Sequence, residues 1–257
     1  MAPDGAGDGR VERPPPIGDR PADRPADRPA GSGAPGAEAA GGRDGEGSDA
    51  GRRTGLLVDW GGVLTTNLFE SFQDFCVRAG IEPQKLRESF GANPEFRELL
   101  IALEKGELRE EAFEQSLAPL LGIEPVGLID GLFAGVHADE AMLEAVRLAR
   151  AAGIRTGLIS NSWGVHRYPH DLFDELFDGI VISGEEGMRK PSQRMYELGA
   201  ERAGVEARAC VYVDDLPFNL TPAEGLGMAT VHHTSAQETI AELERLLGVS
   251  PLGDSLT

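Results

Sequence analysis

The 257-residue sequence predicts a three-layer α/β fold: a mostly parallel sheet covered by helices on both faces, with an all-helical unit inserted after the first strand. Three features predict it. Short, wholly apolar runs recur along the chain, as strands buried on both faces require. Segments of helical spacing alternate with them, which implies parallel strands joined by crossover helices. Residues 68 to 138 show helical spacing alone, too long a stretch for an ordinary connection.

Gly55-Leu56-Leu57-Val58 is the first strand, ending abruptly at Asp59 before Trp60-Gly61-Gly62-Val63-Leu64. Three amphipathic segments follow: Phe69, Phe72, Cys76 and Ala79; then Phe96, Leu99, Leu100 and Leu103; then Phe113, Leu117, Leu120 and Leu121. Seven of the ten phenylalanines lie in this stretch, so it has the material for a core of its own and is expected to cap the strand ends. Met142, Ala145, Val146 and Ala149 then define a helix that Gly153 terminates. Thr156-Gly157-Leu158-Ile159 is the second strand, ending at Ser160-Asn161-Ser162. Gly179-Ile180-Val181-Ile182 is the third, followed by a loop to Lys190-Pro191 and a helix from Ser192 to about Ala203. Cys210-Val211-Tyr212-Val213 ends at Asp214-Asp215, and a helix runs to Gly225. A last strand, residues 229 to 232, precedes a terminal helix through Leu247.

Residues 1 to 53 differ sharply. They hold 12 Gly and 8 Pro, with Val11 and Ile17 as the only aliphatic residues larger than alanine, so they cannot bury enough surface to offset chain entropy. A tandem repeat, Arg-Pro-Ala-Asp from Arg20 to Asp27, alternates charge and keeps the chain extended; the segment is expected to be a disordered tail. A Gly-x-Gly-x-x-Gly match from Gly31 to Gly36 has neither strand nor helix beside it and carries no weight.

Charge and composition exclude whole classes of function. The formal net charge is −19, and the tail's 8 Arg nearly balance its 10 acids, so the negative excess sits on the folded part. That excludes general nucleic-acid binding, which rests on cationic side chains. No apolar run is long enough to span a membrane. Cys76 and Cys210, the only cysteines, are far apart in apolar surroundings and read as buried thiols, which suits a reducing cytoplasmic location.

The candidate chemistry lies where the apolar runs stop. Asp59, Ser160, Asp214 and Asp215 end three predicted strands, and Lys190 sits in the loop after a fourth. In parallel sheets such positions converge on one edge, where ligands bind. Carboxylates gathered there repel one another unless a cation sits among them, and hard oxygen donors indicate Mg²⁺. Lys190 is one of only three lysines against 21 arginines, and beside such a site it adds positive charge. A carboxylate nucleophile, a hydroxyl, a lysine and a metal together suit a phosphoryl group.

Four segments carry a resemblance. Val58-Asp59-Trp60-Gly61-Gly62-Val63-Leu64, Leu158-Ile159-Ser160-Asn161-Ser162, Gly187-Met188-Arg189-Lys190-Pro191 and Val213-Asp214-Asp215-Leu216-Pro217-Phe218-Asn219 resemble, in order and spacing, the four motifs of the haloacid dehalogenase superfamily. The resemblance covers residues 54 to 248 and includes a helical cap at 68 to 138. It implies a Rossmann-like core and a Mg²⁺-dependent phosphatase of a small phosphorylated metabolite, such as a sugar phosphate. It also implies roles: Asp59 as the nucleophile that becomes an aspartyl-phosphate and a metal ligand, Ser160 and Asn161 as phosphate-binding residues, and Lys190 stabilising Asp59 and the transferring group. Asp215 is the implied direct metal ligand, with Asp214 direct or water-mediated and the Gly61 carbonyl completing the set. A small-molecule phosphate ester is thus the expected partner, for a monomer or homodimer.

One position departs from the pattern. Phosphatases of the superfamily typically carry a second Asp two residues after the nucleophile, as general acid and base, where this chain has Gly61. General acid catalysis is typically worth roughly 10²- to 10⁴-fold, so another group has to substitute or the step is slow. His166, His170 and His137 are possible substitutes, although loop histidines are more often simply solvated. Trp60 is expected to pack under the cap, and His232-His233 lacks metal-ligand spacing partners. Two further readings stay open: a hydrolase of carbon–halogen bonds using Asp59, and a catalytically weakened binding protein.

Overall fold

The computed structural model describes residues 52 to 253, so the predicted tail, apart from its last two residues, lies outside the described residues. Those two are packed on the domain. The Arg52 side chain donates to the Leu247 carbonyl at 2.9 Å, and the Arg53 amide donates to Leu246 at 3.3 Å.

The chain runs β1 (Gly55–Val58), then five helices α1 (Leu68–Arg78), α2 (Pro83–Ala92), α3 (Pro94–Glu104), α4 (Glu110–Leu121) and α5 (Leu128–Phe133). It continues through α6 (Glu140–Ala151), β2 (Arg155–Ser160), α7 (Phe173–Leu176), β3 (Gly179–Ile182), α8 (Ser183–Glu186) and α9 (Gln193–Ala203). β4 (Cys210–Asp214), α10 (Pro217–Gly225), β5 (Ala229–His232) and α11 (Ala236–Leu247) complete it. The five strands form one parallel sheet in the order β3-β2-β1-β4-β5. β1 is central because the chain first winds outward to β3 and then crosses back to β4. The reversal beside β1 opens a crevice at the carboxyl ends of β1 and β4.

Alternation along β1 builds the three layers. Leu56 and Val58 pack with Met142 and Val146 of α6 and Leu243 and Leu247 of α11. Leu57 points the other way, to Tyr196 and Ala203 of α9 and Ala223 of α10. All four residues of β1 are buried, which is why the strand reads as an unbroken apolar run.

The helical insert has a separate core of Phe72, Cys76, Phe96, Phe113, Leu117 and Leu132, among others. Its two connections run side by side: Thr65 bridges Ala138, the Thr66 amide donates to His137 at 2.8 Å, and Asp139 donates to Leu64 at 3.0 Å. Asn67 and Asn93 cap α1 and α3 by accepting from the first-turn amides. The buried face of α1 differs from the expectation. Phe69 and Ala79 are exposed and Phe75 is half-buried instead, because the first turn of α1 lies at the mouth of a cavity rather than over the insert's core. Among the described residues no helix is long and apolar enough to cross a membrane.

Candidate active site

Strand register brings the predicted residues together. Val58 pairs with Val213 and with Leu158, and the Asp59 amide donates to the Val213 carbonyl at 3.0 Å. Asp59 therefore leaves β1 level with Asp214 at the end of β4, with Ser160 at the end of β2 on its other side. Lys190 reaches in from the loop after β3 and places its ammonium 2.7 Å from Asp59 and 2.8 Å from Asp214. All three side chains are buried. Burial alone would lower the lysine pKa, but the carboxylates of Asp214 and Asp59 outweigh it and hold the ammonium charged.

The three aspartates are not equivalent. Asp214 accepts from Lys190 and the Tyr212 hydroxyl at one oxygen, and from the Leu216 amide (3.0 Å) and Asn219 Nδ2 (2.9 Å) at the other. Burial would raise its pKa, yet Lys190 and these donors more than offset that and lower it. Four donors fill its lone pairs, so Asp214 acts as counter-charge to Lys190 rather than as the metal ligand expected of it. Asp59 accepts only from the Trp60 amide (2.7 Å) and Lys190, and burial pushes its carboxyl up to about 7 against the pull of that lysine. Asp215 is half-buried and pushed up to about 6 by burial and by Asp214. Oxygens of the three lie within 4.8 Å of one another, a set of hard donors that fits a divalent cation, with Asp59 and Asp215 keeping free lone pairs for it.

The glycine pair after Asp59 has two separate reasons. Gly62 sits at φ +76°, and a Cβ there would lie 2.4 Å from the Asp215 carboxylate, so only glycine lets the turn and that acid meet. At Gly61 a Cβ would lie 2.8 Å from the Leu68 side chain at the start of α1. Leu68 thus fills the space into which an acid at this position would project.

Ser160 is buried and accepts from the Tyr168 hydroxyl at 2.9 Å, leaving its own hydroxyl hydrogen to donate. Asn161 behaves differently from its predicted phosphate-binding role: its side chain accepts from the Lys190 amide at 2.8 Å and donates to the Lys190 carbonyl at 3.2 Å. It clamps the lysine loop. His166 is exposed and lies 3.2 Å from Glu110, the His170 ring contacts the Val165 carbonyl at 2.9 Å, and His137 is exposed at the insert's exit. His166 and His137 line the cavity beside Asp59, whereas His170 is outside its lining. His232 contacts the Asp215 carbonyl at 3.0 Å and so supports that loop. Trp60 packs edge-on against Tyr168 and Phe173 of the core, at 6.0 and 5.8 Å between ring centres, rather than under the insert.

Glu104 was missed from the sequence. The last residue of α3, it is buried in an ion pair with Arg189, next to Lys190, and its backbone carbonyl accepts from Ser183. It ties the insert to the lysine loop. The available signal was its spacing: Glu104 follows Leu100 by four and Phe96 by eight, an acid on the apolar stripe of an amphipathic helix. Burial pushes its carboxyl from 4.5 up to about 7, against the opposing pull of Arg189. The folded state therefore holds a proton that the unfolded chain releases, so this contribution to stability is present at low pH and lost as pH rises through about 7. Glu104→Gln removes the titration. Apart from a constant offset for the lost ion pair, its stability relative to wild type is expected to rise by about 3 kcal/mol between about pH 5 and pH 8. Urea unfolding across that range measures it, and parallel curves for the two proteins would refute it.

A parallel sheet with an ion-paired aspartate at the end of its central strand, beneath a helical insert, defines an α/β hydrolase. More particularly, the chain belongs to the haloacid dehalogenase-like hydrolase family, whose model matches residues 54–227. It is 32% identical over 114 residues to the sesquiterpene phosphatase astK of Aspergillus oryzae, covering 43% of this chain and 58% of that protein. It is 26% identical over 194 residues to the glyceraldehyde 3-phosphate phosphatase of Methanocaldococcus jannaschii, covering 69% of this chain and 83% of that one. The chain thus spans less than two thirds of the first of these relatives. Among solved structures, the magnesium complex of a haloacid dehalogenase family enzyme from Bacteroides thetaiotaomicron superposes with a TM-score of 0.55 at 23% identity, covering 76% of this chain and 99% of that one.

Proposed function

We propose that the protein is a Mg²⁺-dependent phosphatase that hydrolyses a small phosphate monoester through an aspartyl-phosphate on Asp59. The observation that carries this reading is the placement of Asp59 at the end of the central strand, 2.7 Å from the Lys190 ammonium and beside Asp215. The free oxygen of Asp59 attacks phosphorus, the bond to the leaving alcohol breaks, and water then hydrolyses the acyl phosphate to regenerate the carboxylate. Lys190 neutralises the transferring group, the Ser160 hydroxyl donates to it, and Asn161 holds Lys190 in place. Mg²⁺ bound by Asp59, Asp215 and the Gly61 carbonyl would neutralise phosphate oxygens. Two named relatives support the reaction but differ in the alcohol, one being a sesquiterpene phosphatase and the other a glyceraldehyde 3-phosphate phosphatase. Two buried free thiols, Cys76 and Cys210, suit a cytoplasmic setting.

The strongly negative surface repels an anionic ester at long range, so attraction has to be local, from the cation and Lys190. Phosphate release from p-nitrophenyl phosphate is therefore expected with Mg²⁺ and abolished by chelator, with a KM that falls steeply as free Mg²⁺ rises. Asp215→Ala is expected to raise the Mg²⁺ needed for half-activation by at least about 10- to 100-fold. Chelator-resistant halide release from a haloacid, with no phosphate release, would replace this reading with carbon–halogen hydrolysis.

A further inference from the structure

The site opens into a cavity of about 950 Å³ between core and insert, at the upper end of the roughly 300–1,000 Å³ found for small-molecule pockets. Its character is set by the insert. Leu68, Phe72, Phe90, Leu100 and Phe133 project into it, together with Trp163 from the loop after β2. Among the described residues only four large apolar side chains are strongly exposed, and two of them, Phe69 (41%) and Phe218 (56%), lie on this cavity's lining. Exposed phenylalanines grouped at the rim of an apolar cavity mark a path for an apolar ligand.

The polar groups of the lining point the same way, because they are already engaged. Arg189 is paired with Glu104, Arg167 with Glu110 and Asp130, and the Asn161 side chain with the Lys190 backbone. The Arg97 guanidinium donates to the Gly91 carbonyl at 3.0 Å. Sugar hydroxyls entering here would lose their water without gaining fixed partners, a net cost for each one buried. Lys190, Ser160 and the Asp59–Asp215 pair are the anion-binding pole at one end, and the rest of the cavity is apolar.

From this polarity we propose that the substrate is the phosphate monoester of an apolar alcohol, alkyl or terpenoid in size, rather than a sugar phosphate. The proposal rests on the phosphatase reading above and names the alcohol it acts on. The phosphoryl group meets Asp59 and Lys190, while the hydrocarbon lies against Leu68, Phe72 and Trp163. Leu68, which occupies the space over Gly61, then serves as the first apolar contact beyond the scissile bond.

The test uses the intact chain with Mg²⁺ and a series of ethyl, butyl, hexyl, octyl and decyl phosphates kept below micelle formation, beside glucose 6-phosphate. The expected result is a kcat/KM that rises about two- to fourfold per added methylene, the gain set by moving a methylene out of water. Glucose 6-phosphate should fall at least about 100-fold below decyl phosphate. A second readout does not need turnover. Trp60 and Trp163 are the only tryptophans and both line the cavity, so their emission in Asp59→Asn reports its occupancy. Decyl phosphate should shift that emission saturably, with an affinity that tightens with chain length. Turnover of p-nitrophenyl phosphate with no dependence on chain length would overturn this inference and leave the phosphatase standing. Length-dependent emission with no ester hydrolysed would support the apolar ligand and overturn the phosphatase instead.

Discussion

Asp59→Asn is expected to lower kcat by roughly 10⁴-fold or more while leaving the fold intact, because a carboxamide cannot attack phosphorus. The variant is close to isosteric, and it removes one of two carboxylates that share Lys190, so the ammonium keeps its 2.8 Å contact with Asp214. Asp59 is also the more weakly held of the pair. Burial pushes its carboxyl up to about 7, whereas Asp214 is pulled down by Lys190, Tyr212 and Asn219. A neutral side chain at position 59 therefore relieves a buried charge rather than stranding one. Phosphate release, set beside thermal unfolding of the same sample, checks both halves. Retention of more than a few per cent of wild-type turnover would remove Asp59 as the nucleophile.

Lys190→Met is expected to do the opposite to the fold. It leaves Asp59 and Asp214 facing each other without their cation, and Asp214 is wholly buried. Removing one partner of a buried ion pair typically costs about 3–5 kcal/mol, and here one lysine serves two acids. The loss should shrink at acid pH, where protonation relieves the repulsion, and Mg²⁺ should restore part of it by supplying positive charge between Asp59 and Asp215. Turnover should fall by at least about 10²- to 10³-fold, the usual effect of losing one group that stabilises developing charge. Urea unfolding with and without Mg²⁺ measures the stability term. A variant as stable as wild type at neutral pH would show that Lys190 does not hold the acids together.

Much of this site was legible in the sequence because a parallel strand buried on both faces must be apolar throughout. The first polar residue after each run then marks the sheet edge. Asp59, Ser160, Asp214 and Asp215 were found in that way, and Lys190 by its place after the third run. The distinct roles of Asp214 and Asp215 were not legible, since adjacent acids in one motif look alike until Tyr212, Leu216 and Asn219 are seen to fill the lone pairs of the first. Asn161 was assigned to phosphate by its position, but its side chain turns to the Lys190 backbone, a partner 29 residues away. Glu104 sits 57 residues before Asn161 and still farther from Arg189, and only the docking of the insert brings these side chains together.

The sequence by itself determined the layered α/β architecture, the place of the helical insert and the acids and lysine of the reaction centre. Those follow from local rules: the period of apolar residues and the abrupt end of each apolar run. Tertiary structure alone decided which aspartates keep free oxygens, how the insert is tied to the lysine loop and what kind of alcohol the cavity accepts. Hydrogen-bond saturation and cavity polarity depend on which distant side chains meet, and no spacing along the chain encodes that. Phe72 and Phe90 read from the sequence as material for a core; where α1 and α2 come to rest makes them also the wall of a binding cavity.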